Sequence, residues 1–223
     1  MSIRSLKLGV IVALLLAASG SVQAVAQNHA AYDLVQDTTT QVMDVVEAAN
    51  AYADEDPERY YQQVQALLDP LIDYRGFARK VMGPYASSDR YRSLDEAGRS
   101  KLVEQLDQFT AAMRASLVRT YSKGLLAFGG SRIELIPLDE EASGRPRVSL
   151  QQLIYADRRD PYVVVYQMGK EKSGEWKLNN VIIESVNLGE IYRDQFLASA
   201  RERDGNLDEV IANWTTVVVD VDK

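Results

Sequence analysis

The chain has 223 residues, 26% of them charged, with no cysteine, a single histidine and a formal net charge of −7. The missing cysteines exclude disulfides, thiolate nucleophiles and cysteine-ligated metals. The acidic balance argues against the basic surface that nucleic-acid binding needs, so we expect no nucleic-acid partner.

The N-terminus has the pattern of a secretory signal. Arg4 and Lys7 precede the apolar run LGVIVALLLAA, which is too short to span a bilayer as a helix, and small residues follow it. We predict a signal peptide over residues 1–24, with cleavage at 24 or 26, and an exported, soluble mature protein. Residues 25–223 are then enough for a single domain with one core.

Apolar residues at helical spacing predict four helices in the first half of the chain. The first covers 32–53, the second runs from Pro57 through Leu68, and the third runs from a cap at Asp73 to Gly83. The fourth is long. It begins at a capping box, Ser93-Leu94-Asp95-Glu96, and continues to Gly129.

Strand-like alternation follows in SRIELIPL, RVSLQQLIYA, PYVVVYQMG and EWKLNNVIIE, with turn-rich breaks between them. Four strands joined by short turns predict an antiparallel meander, and the third, apolar on both faces, should be central. Asn187 then caps a helix, NLDEVIANW forms a last short one, and TTVVVDVDK either adds an edge strand or frays. We therefore predict an α+β fold, with a curved antiparallel sheet of about four strands on about six helices.

The sequence offers little catalytic chemistry. His29 lies just past the predicted cleavage point, where chains are usually loose, and no glycine-rich nucleotide motif is present. Carboxylates remain open: a polar turn holds Asp139-Glu140-Glu141, and Glu184 and Glu190 flank a bend. Two alternatives therefore stand, a carboxylate-dependent glycan hydrolase and an interaction module whose apolar grooves hold partner helices.

The apolar stripe of the long helix is open to two interpretations, ordinary core or ligand pocket. Met82, Met113 and Met168 supply flexible surface that adapts to irregular apolar ligands. Several aromatics fall near element ends, where the mouth of a pocket could form: Tyr85, Phe109, Tyr121, Tyr192 and Phe196.

Three segments of the chain carry a resemblance to a known family: DYRGFARKVMGPY, FTAAMRASLVRTYSKGLLAF and WKLNNVIIESVNLGEIYRDQF. Together they resemble the MlaC family, the toluene-tolerance auxiliary family of periplasmic phospholipid-binding proteins. The resemblance covers roughly residues 30 to 214. Asn180, Ser185 and Asn187 stand where the family commonly has Asp, Gly and Ser, and Ala86 replaces a Trp.

The resemblance implies a periplasmic carrier rather than an enzyme. It would shuttle glycerophospholipid between an outer-membrane lipoprotein complex and an inner-membrane ABC transporter complex with an MCE-type subunit, and so maintain outer-membrane lipid asymmetry. Acyl chains would lie in an enclosed apolar cavity, with lipid as cargo and no cofactor or metal. We expect Arg193 to meet a phosphate at the mouth or to form a buried ion pair. The expected lipid-binding residues are Met82, Tyr85, Phe109, Met113, Leu117, Tyr121, Ile154, Val163, Val165, Val181, Ile183, Tyr192 and Phe196.

Overall fold

Helices fill the first half of the chain and a β-meander follows, as the change in apolar period predicts. The computed structural model describes residues 19–127, 132–138, 145–155 and 159–217, with side chains from residue 30 onward. Within these ranges there are seven α-helices: α1 (Ser19–Ala49), α2 (Pro57–Leu68), α3 (Tyr74–Met82), α4 (Ser88–Ser93), α5 (Glu96–Ala127), α6 (Leu188–Glu202) and α7 (Leu207–Ala212). A 3₁₀ turn, Gly83–Ala86, joins α3 to α4.

The predicted caps are confirmed at two helices and wrong at a third. Asp73 accepts a hydrogen bond from the Gly76 amide at 2.8 Å, and Asn187 accepts from the Glu190 amide at the start of α6. At α5 the cap is Asp95, whose Oδ1 accepts from the Gly98 amide at 2.8 Å. Ser93 instead ends α4, a short helix that the periodicity did not predict, so no capping box forms.

The first helix begins earlier than its periodicity predicts. It starts at Ser19, inside the predicted signal peptide, and ends at Ala49. The signal peptide and its cleavage point remain predictions. Among the described residues, no helix has both the length and the apolar character that a membrane crossing requires.

One open, curled antiparallel sheet follows the helices. Its strands pair in chain order: β1 (Ile133–Leu135), β2 (Arg147–Ile154), β3 (Tyr162–Lys170), β4 (Trp176–Ile183) and β5 (Val186–Asn187). The central position of β3 is confirmed, and β5 is an added two-residue edge strand. Residues 215–217 form no strand, and the rest of the C-terminal tail lies outside the described residues.

A bulge distorts β4 where it pairs with β3. Gln167 pairs with Asn180 and Met168 with Leu178, which leaves Asn179 as the extra residue. A Cβ at Gly169 would lie only 2.2 Å from the Asn179 side-chain nitrogen. Glycine at 169 therefore leaves space for the bulged side chain to cross the neighbouring strand.

Buried residues form three apolar clusters. One joins α3, α5, α6 and α7 around Phe109 and Phe196. A second packs the start of α1 against the inner face of the sheet, around Leu150 and Met168. A third joins α1 to α2 around Tyr60. Since α5 has 32 residues and is roughly 48 Å long, it packs on the first cluster near its start and reaches the third near its end.

Candidate functional site

An apolar cavity of about 290 Å³ lies between the inner face of the sheet and helices α2, α3, α5 and α6. Strand residues alternate between the two faces of a sheet, so only every second residue of a regular strand faces this cavity. The described lining includes no Asp, Glu, Lys or Arg: Leu68, Ile72, Tyr74, Phe77, Leu117, Val118, Tyr121, Ile154, Val164, Tyr166, Leu178, Asn179, Asn180, Val181, Ile183, Leu188 and Tyr192.

Two tyrosine hydroxyls in the wall bond to each other. The Tyr121 and Tyr192 oxygens lie 2.5 Å apart. Burial raises the pKa of both phenols above its ordinary value, and the hydrogen bond lowers the pKa of Tyr121 but raises that of Tyr192. Both therefore stay neutral near pH 7, and the pair adds no charge to the cavity.

A third tyrosine of the wall, Tyr166, uses its hydroxyl in a hydrogen bond to another protein side chain. Tyr166 donates to Gln152 Oε1 at 2.7 Å, and the Gln152 amide donates to Thr39 of α1 at 3.1 Å. Burial raises the pKa of Tyr166 strongly. These polar atoms satisfy one another, whereas the buried hydroxyl of Tyr74, a fourth tyrosine of the wall, has no hydrogen-bond partner within the described residues. Most of the other lining side chains are hydrocarbon, so the cavity presents mainly hydrocarbon to a ligand.

The amides of β4 connect the cavity wall to α6. The Asn180 side chain donates to Gln167 Oε1 at 3.1 Å and to Asn187 Oδ1 at 2.8 Å. Its own oxygen accepts from the Gly189 amide at 3.1 Å. The same Asn187 oxygen caps α6, so this network fixes the bend between β4 and the helix, as the sequence predicts for Asn187.

Six of the thirteen predicted lipid-binding residues line this cavity: Leu117, Tyr121, Ile154, Val181, Ile183 and Tyr192. They come from β2, β4, α5 and α6, so the structure brings together positions up to 75 residues apart in the chain. Whether these side chains contact lipid remains a prediction.

Five of the predicted residues lie instead in the helical cluster. Four of them are fully buried and pack among α3, α5, α6 and α7: Met82, Phe109, Met113 and Phe196. Tyr85 is half-buried against the same cluster, with its ring 6.1 Å from that of Phe196. The structure places all five as packed core outside the cavity lining.

The remaining two predicted residues, Val163 and Val165, alternate with Val164 and Tyr166, which line the cavity. They therefore project from the opposite face of β3. The sequence missed Val164 because β3 is apolar on both faces, which hides the parity of the strand. It also missed Phe77, Val118 and Leu188, which helical periodicity marks as buried without separating a cavity wall from solid core.

The carboxylate alternative finds little support in the described residues. Glu184 Oε1 accepts from the Val163 amide at 2.6 Å, so this carboxylate closes the turn after β4. Glu190 is exposed on α6. Asp139, Glu140 and Glu141 lie outside the described residues, and no metal-binding group of Asp, Glu, His or Cys occurs within them.

Of the two expectations for Arg193, the structure tests only the buried ion pair, and the phosphate contact stays a prediction. Its side chain is exposed and lies beside the 3₁₀ turn, where a Cβ at Gly83 would be 3.3 Å from its Nε. No ion pair of Arg193 occurs within the part of the chain that the structure describes. The buried ion pair is therefore wrong.

The fold and the cavity together define a class: α+β proteins in which one curled antiparallel sheet and a set of helices surround an uncharged, mainly apolar cavity. The profile of the family described as "MlaC protein" matches residues 36–216. The toluene tolerance protein ttg2D of Pseudomonas putida is 30% identical over 184 residues, which cover 82% of this chain and 79% of that protein. The chain belongs to the MlaC protein family.

A solved structure has the same fold. The phospholipid-binding protein of Ralstonia solanacearum, determined in complex with a phospholipid, superposes with a TM-score of 0.64 at 20% sequence identity. The match covers 81% of this chain and 96% of that one.

Proposed function

We propose that this protein is a periplasmic phospholipid carrier and not an enzyme, with the acyl chains of its cargo in the apolar cavity. The observation that carries the proposal is the uncharged cavity between sheet and helices. Membership of the MlaC family and the phospholipid-binding Ralstonia protein of the same fold support it.

Membership of the MlaC family supports a proposal for the partners. The carrier exchanges glycerophospholipid with an outer-membrane lipoprotein complex and with an inner-membrane ABC transporter complex that contains an MCE-type subunit, and this traffic maintains outer-membrane lipid asymmetry. The chain has no glycine-rich nucleotide motif. Energy for transport against a gradient therefore comes from the transporter.

The energetics explain why a carrier needs such a cavity. Each methylene exposed to water costs about 0.8 kcal/mol, so a lipid with about 28 methylenes loses on the order of 20 kcal/mol on release into water. Spontaneous desorption is therefore slow. A dry apolar cavity offsets most of that cost. If the affinity of the carrier for the lipid is close to that of the membrane, the lipid can still be delivered.

The volume of the cavity sets a further requirement. A volume of about 290 Å³ lies at the lower limit of the range for small-molecule pockets, which begins at about 300 Å³. Two full acyl chains need more room. We therefore expect the sheet to separate from α5 and α6 when cargo binds.

The direct test is native mass spectrometry of protein purified from cells, followed by lipid extraction. The proposal predicts bound phospholipid and, after delipidation, its uptake from vesicles. A preparation that is consistently free of phospholipid and takes up none from vesicles would falsify the proposal.

A matched pair of variants tests the cavity itself. Val164→Trp places a large ring in the cavity, whereas Val165→Trp places the same ring on the opposite face of the same strand. We expect lipid loading to fall several-fold in the first variant and to stay near wild type in the second. Equal loading of two folded variants would show that acyl chains bind elsewhere.

A further inference from the structure

A second concavity, of about 900 Å³, lies between α3 and strands β2, β3 and β4. We call it the basic cleft, after Arg79, Lys80, Arg145 and Arg147 in its lining. The remaining wall combines side-chain amides, such as that of Gln167, with apolar residues, such as Ile136. The cleft therefore gathers four positive charges on a chain whose net charge is −7.

The positive charges of the cleft are poorly compensated. Its one lining carboxylate, Asp73, is already held by the Gly76 amide at the start of α3. Within the described residues, Arg79, Arg145 and Arg147 form no ion pair. Like charges that have no ion pair in the described parts of the chain attract an anion into the cleft.

The surroundings of Lys80 agree with this. Burial lowers the pKa of Lys80, Asp73 acts in the opposite direction, and Arg147 and Arg79 lower the pKa further by repulsion. Among the described residues its Nζ has one hydrogen-bond acceptor, the carbonyl oxygen of Asn179 at 3.5 Å. A bound anion would relieve this repulsion.

The basic cleft and the apolar cavity are neighbours. Asn179 and Asn180 of β4 line both. On α3, Phe77 lines the cavity, whereas Lys80, three residues later, lines the cleft. A single molecule with an apolar part and an anionic part therefore matches two adjoining compartments of opposite character.

We propose that the basic cleft receives the phosphate group of a lipid whose acyl chains lie in the apolar cavity. This inference rests on the proposed function and names the part of the cargo that the cleft recognises. Guanidinium groups match phosphate because their planar donors bind two oxygens at once. A volume of about 900 Å³ lies within the range of small-molecule sites, which favours a head group over a large partner surface.

The test compares two lipids that differ only in the phosphate. Delipidated protein is incubated with vesicles that contain either phosphatidic acid or diacylglycerol with the same acyl chains, and bound lipid is counted by native mass spectrometry. The key variant is Arg79→Gln/Arg147→Gln. The control, Lys123→Gln/Arg201→Gln, removes two exposed positive charges that are not part of the cleft lining and gives the same change in net charge, from −7 to −9.

We expect wild type and the control to take up phosphatidic acid in preference to diacylglycerol. The cleft variant should take up phosphatidic acid about tenfold more weakly, with diacylglycerol uptake unchanged. A second variant, Lys80→Gln/Arg145→Gln, repeats the test with the other two cations. Thermal unfolding checks that all variants are folded.

Several results would overturn the inference. If wild type takes up neither lipid, the proposed function fails and the inference with it; if wild type takes up lipid and both cleft variants match it, only the inference fails. Calorimetric titration with inorganic phosphate distinguishes a second case. If the cleft variants lose phosphate binding while their lipid uptake is unchanged, the cleft is a site for free phosphate and the inference fails. The same pattern with polyglutamate would assign the cleft to an acidic polypeptide.

Discussion

The hydroxyl pair in the cavity wall gives a quantitative prediction. Tyr192 is 0% exposed and Tyr121 is half-buried, and their oxygens lie 2.5 Å apart. Tyr121→Phe leaves the fully buried Tyr192 hydroxyl without a partner, which costs about 1–3 kcal/mol. Tyr192→Phe leaves the Tyr121 hydroxyl without this partner and should cost less, because Tyr121 is only half-buried.

The double variant Tyr121→Phe/Tyr192→Phe should be more stable than the sum of the single effects predicts, because no unpaired hydroxyl remains. Thermal unfolding measures the three variants, at about 2–4 °C per kcal/mol for a domain of this size. Since the double variant makes the wall more apolar, its lipid loading should equal or exceed that of wild type. Additive single effects, or loss of loading in the double variant, would refute the reasoning and assign the hydroxyls to a ligand contact.

Three further predictions concern backbone and burial. Ser185 has φ +74°, so Ser185→Gly should stabilise the protein by about 1 kcal/mol in thermal unfolding, and an unchanged midpoint would contradict strain in this turn. A Cβ at Gly76 would lie 1.9 Å from the Asp73 carboxylate, so Gly76→Ala should displace this cap and lower the unfolding midpoint despite the better helix propensity of Ala; a higher midpoint would be inconsistent. Burial raises the pKa of Tyr60 from 10.0 to about 12, so the stability that this group contributes is complete below pH 10 and is lost as the pH rises toward 12. Measuring the free energy of unfolding at a series of alkaline pH values tests this, and a free energy that does not change between pH 10 and 12 would contradict it.

The sequence predicted the elements well because their signals are local. Helical spacing located α2, α3, α5 and α6, and alternation located the long strands, since each element has one buried face. The short helix α4 and the two-residue strand β5 were missed, because neither is long enough to show a period. The α5 cap is Asp95 and not the predicted Ser93. Both residue types are good N-caps, and the backbone conformation of the residues before the helix determines which one caps it.

The cavity was only partly predictable, because its outline depends on how elements meet. The apolar stripe of α5 is continuous, yet Phe109 and Met113 pack solidly against other helices while Leu117 and Tyr121 reach the cavity. On β3, only the pairing with β2 and β4 shows that Val164 faces inward. Neither distinction is present in the spacing of apolar residues along the chain.

The location of the acyl chains is the central claim, and intermolecular nuclear Overhauser effects test it most directly. Protein with protonated Val and Leu methyl groups on a deuterated background is loaded with protonated phospholipid. The account predicts cross-peaks from acyl methylenes to Leu117, Val164 and Val181 methyls, which line the cavity, and none to Val163 or Val165. Cross-peaks to the outer-face valines without any to the cavity methyls would contradict it.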